Sequence, residues 1–188
     1  MNIFDSNIHL PCTSKVDLSE YTFMHESAKS LKDMLHEDLN MTYNNLLNCF
    51  SKHLDTIKNN SNGCNIMIFN SKITPDELKL FVSNVRKKIN NSYFTMLINP
   101  KDNISMDKLS EFKDAGLTAI KFHGYIQKIS KEKFQSVVNI SVNAEILKMP
   151  ILVDSSYGGL NMYKYKSIEL ISCILEKVTK VPVVILHS

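Results

Sequence analysis

The sequence predicts an α/β fold in which parallel strands and helices alternate along the chain. Three observations predict it. Six short apolar runs, Ile3 to His9, Asn65 to Asn70, Tyr93 to Asn99, Leu117 to His123, Ile151 to Asp154 and Val183 to His187, are each too short for a helix. Most are rich in Ile, Val, Leu and Phe without strict alternation, the pattern of strands covered on both faces. Amphipathic segments with helix punctuation lie between them. After the second run, successive strand starts fall roughly 25 to 32 residues apart, the length of one strand-plus-helix unit. Such alternation implies right-handed crossovers within one sheet.

Each element carries its own signal. Only the first connection is long: residues 11 to 64 hold a Pro-Cys-Thr-Ser loop and a helical insertion at about 20–58, read as helices from about Glu20 to Leu39 and Thr42 to Lys58. The turn-forming Asn59-Asn60-Ser61-Asn62-Gly63 ends it. Thr74-Pro75-Asp76-Glu77 supplies an N-cap, a proline at the first helical position and a capping-box glutamate, opening a helix through about Ile89. A second helix over Ser105 to Asp114 is stopped by Gly116 as C-terminal cap. Ser130 to Lys148 and Lys164 to Lys177 complete the set. No linker or low-complexity tract divides residues 1–188, which read as a single domain.

Composition narrows the class. With 188 residues, 44% of them hydrophobic, the chain is long enough to bury a core without covalent staples. Its four cysteines, Cys12, Cys49, Cys64 and Cys173, show neither metal-knuckle nor disulfide spacing, and read as reduced thiols of a cytoplasmic protein. Asp5 stands where a signal peptide needs basic residues, and no run approaches about 18 apolar residues, so neither secretion nor a membrane span is expected. A net charge of +3, evenly spread, with aromatic residues not interleaved among basic ones, excludes nucleic acid as an expected partner.

Ligands of parallel α/β sheets gather at the carboxyl ends of the strands, so the polar residues there are the informative ones. Period two places Asp5, Asn7 and His9 on one face of the first strand, and Lys121 and His123 on one face of the fourth. The fifth ends at Asp154 and the sixth at His187. A buried lysine must be paired or lose its proton. Imidazoles and carboxylates converging from separate strands are what a divalent metal such as zinc or manganese requires.

These strand ends resemble those of the metal-dependent amidohydrolases. Asp5-Ser6-Asn7-Ile8-His9-Leu10 is similar to their opening strand, Asp, any residue, His, any residue, His. Gly116-Leu117-Thr118-Ala119-Ile120-Lys121-Phe122-His123 resembles their fourth strand, Met149-Pro150-Ile151-Leu152-Val153 their fifth, and Val181-Pro182-Val183-Val184-Ile185-Leu186-His187 their sixth. The resemblance implies a (β/α)8 TIM-barrel-like fold, incomplete at six strand–helix units. It further implies a divalent metal and hydrolysis or decarboxylation of a small carbonyl-containing substrate by metal-bound water. It assigns His9, Asp154 and His187 to the metal and Lys121 and His123 to catalysis. Asn7 stands in place of the family's first histidine ligand, and Asp154 in place of the fifth strand's histidine. A neutral amide is a poor zinc ligand, which leaves Asn7 to the substrate, whereas a carboxylate makes the site oxygen-richer and harder.

Three alternatives accompany that expectation. The first is a catalytically degenerate barrel that acts as a binding or assembly protein. The second concerns the fold alone, an open doubly wound sheet, against which Leu10-Pro11-Cys12-Thr13 replaces the glycine-rich turn of a nucleotide fold. The third concerns the end at Ser188, after the sixth strand: either the chain is part of a longer protein, or the open barrel edge is covered, as by a homodimer.

Overall fold

The structure, a computed structural model, describes residues 4–9, 54–55, 57–59, 61–68, 73–102, 104–124, 127–155, 165 and 167–186. Strands β1 (Phe4–His9), β2 (Gly63–Ile68), β3 (Ser92–Leu97), β4 (Ala119–His123), β5 (Ile151–Asp154) and β6 (Val183–Leu186) form one sheet. Helices α1 (Pro75–Lys88), α2 (Met106–Asp114), α3 (Phe134–Ile146) and α4 (Ser167–Leu175) link the strands from β2 onward. Every pairing is parallel and the spatial order is β1-β2-β3-β4-β5-β6, the order of the chain. A doubly wound sheet reverses direction at a switch point. No reversal occurs here, so that alternative reading is set aside. Nor is the sheet closed: β1 and β6 do not pair with each other among the described residues.

Helix punctuation works as the sequence predicts. Thr74 Oγ1 accepts from the Glu77 backbone N–H at 3.2 Å, and Glu77 Oε2 accepts from the Thr74 N–H at 2.8 Å, with Pro75 in the first turn. Gly116 ends α2 with φ +107°, a conformation that costs a side-chain-bearing residue strain, and the Leu117 N–H donates back to Phe112 O at 3.0 Å. Two boundaries at the end of the insertion differ from expectation. The helix ahead of β2 includes Asn59, and β2 begins at Gly63, which the sequence reads as turn. A side chain at Gly63 would stand 2.6 Å from Asn91 O, so glycine lets the two backbones approach at the start of the pairing. The rest of the 20–58 insertion lies outside the described residues.

The core lies on one face of the sheet. Leu78, Phe81, Val82 and Val85 fall at i, i+3, i+4 and i+7 on α1 and are buried together with Ile66, Phe94, Met96, Ile120, Phe122, Ile151 and Val153 from the strands. Leu109, Phe112, Val137, Ile140, Leu170 and Ile174 bring α2, α3 and α4 into the same cluster. Phe81 meets Phe94 edge-on, centroids 5.9 Å apart. Burial of each such side chain contributes about 1.5–3 kcal/mol. The opposite face carries a small apolar cluster, Met67, Ala119 and Leu152, and the polar residues discussed next.

Candidate functional site

Strand register decides which side chains meet on the face away from the helices. Leu97, Lys121, Leu152 and Val184 form one row across β3 to β6, and His123, Asp154 and Leu186 form the next towards the carboxyl ends. Lys121, His123 and Asp154 are therefore neighbours although a whole helix separates the two strands along the chain. Their exposures are 2%, 5% and 0%. His123 Nε2 lies 3.2 Å from Asp154 Oδ2, and Lys121 Nζ lies 3.8 Å from the same oxygen. Lys121 Nζ also donates to Met67 Sδ at 3.5 Å, reaching from β4 across β3 to β2.

The electrostatics follow from burial. Loss of water pushes the Lys121 ammonium below the usual lysine range, and the attraction of Asp154 opposes that shift without overcoming it. A carboxylate with no exposed surface must be compensated, and Lys121 and His123 supply the positive or proton-donating partners. The lysine expected to need a partner thus finds it on the adjacent strand. Such a cluster can hold and relay a proton, and can present a carboxylate and an imidazole to one electrophile.

The remaining expected residues divide by what the backbone describes. β1 pairs Asp5 with Cys64, Ile8 with Ile66 and His9 with Met67, so the register shifts between Asp5 and Ile8. The uninterrupted period of two expected across Asp5, Asn7 and His9 is broken there. His9 stands on the row of Met67, Thr95 and Ala119. The side chains of Asn7 and His9, and His187 altogether, lie outside the described residues. Among the described residues no group of three or more His, Cys, Asp or Glu side chains is placed to hold a metal ion.

One residue that the sequence reading passed over belongs to the site. Gln127 Oε1 accepts from the His123 backbone N–H at 2.8 Å, and Gln127 Nε2 donates to Ile98 O at 2.7 Å. Nothing in the sequence marks it, because a glutamine four residues past a strand reads as an ordinary solvated turn residue. The expected thiols are partly accounted for: Cys64 is buried and Cys173 half-buried, both unbridged. No helix among the described residues is long and apolar enough to cross a membrane. In comparisons with known proteins, no family model and no curated protein matches the chain.

Proposed function

We propose that this protein is a metal-dependent hydrolase of the amidohydrolase superfamily, acting on a small carbonyl-containing substrate. One observation carries the reading: the buried Lys121–Asp154–His123 cluster at the carboxyl ends of β4 and β5, on the face away from the helices. Active sites of TIM-barrel enzymes are built at the carboxyl ends of the strands. A TIM-barrel-like framework is supported by the unbroken sequential strand order. It is supported too by two contacts that skip a strand on the helix-free face, Lys121 with Met67 across β3 and Phe4 with Tyr93 across β2. Next-but-one strands of a flat sheet stand about 9.5 Å apart, so curling towards this face brings them together.

In this reading His9, Asp154 and His187 would hold a zinc or manganese ion, and Asn7 would bind the substrate. The ion, when bound, supplies a water of lowered pKa and polarises the substrate carbonyl. His123, steadied by Asp154, moves a proton to or from the leaving group. Lys121 neutralises charge beside the carboxylate. A homodimer partner covering an exposed sheet edge is compatible with this reading.

A second reading is favoured by a specific feature. Asp154 is already compensated by two neighbours, all three of them buried, as in a degenerate barrel that keeps a structural ion pair and serves as a binding or assembly protein. Metal analysis of the full chain purified without chelator separates the two. Near-stoichiometric zinc or manganese, lost in His9→Ala, supports the hydrolase. A folded protein free of metal supports the binding protein.

A further inference from the structure

In a parallel ladder one residue bonds through both its N–H and its C=O to residues two apart on the neighbouring strand. Ile98 begins that pattern with β4, its N–H donating to Lys121 O at 3.1 Å. The next bond in the series would run from the His123 N–H to Ile98 O. It is replaced: the His123 N–H donates to Gln127 Oε1 at 2.8 Å, and Gln127 Nε2 donates to Ile98 O at 2.7 Å. A primary amide has been inserted where two peptide groups would otherwise meet. The turn that delivers it is itself bonded, Gln127 N–H to His123 O at 3.0 Å and Ile129 N–H to Gly124 O at 2.8 Å, and Ile129 anchors it in the core.

The consequence shows in the ladders. Pairing between β3 and β4 ends at Leu97 with Lys121, whereas pairing between β4 and β5 continues through Phe122 with Val153 to His123 with Asp154. The end of β4 therefore parts from β3 and stays with β5, at the row where the imidazole meets the carboxylate.

We infer that the Gln127 side-chain amide is a spacer built into the β3–β4 ladder, and that it is the positioning residue that sets His123 against Asp154. The inference rests on the reading that this cluster is the functional site, but its test needs no metal and no turnover. Both amide groups are required: the oxygen satisfies His123, the nitrogen satisfies Ile98, and neither partner then needs the other.

The experiment compares the isotope-labelled full chain with Gln127→Met, which keeps the length and loses both bonds, and Gln127→Glu, which keeps only the acceptor. The readouts are the imidazole nitrogen resonances of His123 and the exchange rate of its backbone amide. Gln127→Met is expected to shift both imidazole resonances and to raise His123 amide exchange about tenfold, with the amide spectrum of the α1 and α2 regions unchanged. Gln127→Glu is expected to keep amide protection while the imidazole resonances still move, because Ile98 O loses its donor. Imidazole resonances that stay at their wild-type positions in a folded Gln127→Met chain overturn the proposal, leaving Gln127 as a tie for the turn only. Failure of both variants to fold overturns it as well, since the amide would then hold the framework as a whole. The metal reading fails separately, by metal analysis.

Discussion

His123 and Asp154 face one another from neighbouring strands with Nε2 3.2 Å from Oδ2, and that same oxygen lies 3.8 Å from the Lys121 ammonium. A single buried anion thus answers two basic groups. Removing any one of the three leaves a charge or hydrogen-bonding group in a place that water does not reach.

The first prediction concerns that coupling. Asp154→Leu is expected to lower stability by about 3–5 kcal/mol, the cost of leaving a buried partner uncompensated. Adding Lys121→Met to Asp154→Leu recovers a large part of the loss, so the two substitutions are strongly non-additive. Urea denaturation at neutral pH measures all four corners of the cycle. Simple addition of the two single losses would show that the pair does not interact.

The second concerns pH. Burial holds the Lys121 pKa down, so between its lowered value and the unperturbed value of about 10.4 the unfolded chain binds a proton that the folded chain does not. The associated stability is fully present above about 10.4 and is lost as pH falls through the lowered value. The urea midpoint of wild type minus that of Lys121→Met is therefore expected to rise as pH is raised from neutral towards 10.4 or so. A difference that falls over this range contradicts the assignment.

Helix punctuation gives a third. Gly116→Ala combines a positive φ of +107° with a new methyl group 2.8 Å from Val82 Cγ1, and is expected to cost about 1–3 kcal/mol. Thr74→Ala removes one half of the capping box and is expected to cost about 1 kcal/mol. Thermal unfolding followed by circular dichroism checks both, with Gly116→Ala the larger loss.

The fourth addresses the open edge. Ile185 points to the helix side of β6 and Val184 to the other, both substantially exposed. If a second copy covers this edge, Ile185→Lys shifts the chain from dimer to monomer in sedimentation velocity, with folding retained because the site is exposed already. A sedimentation coefficient identical to that of wild type, with both samples dimeric, would place the contact elsewhere.

Much of this architecture was legible in the chain itself. The capping box at Thr74 and Glu77, the stop at Gly116 and the β5 run Ile151–Asp154 are legible there because each depends on residues close in sequence. The amphipathic character of α1 was likewise expected, and the structure shows which side chains it buries, Leu78, Phe81, Val82 and Val85. Lys121 and His123 were expected to share a face, and the demand for a partner to Lys121 followed from the energetics of a buried ammonium.

The tertiary structure alone decided the rest, since register is a relation between strands and a shift of one residue exchanges their faces. It named Asp154 as the partner of Lys121, broke the simple alternation of β1 between Asp5 and Ile8, and brought Gly63 into a strand beside Asn91. It also gave Gln127 its place between Ile98 and His123, which no local pattern encodes. Local propensity and periodicity are written within a few residues of chain, whereas the meeting of β3, β4 and β5 side chains arises only when distant segments pair.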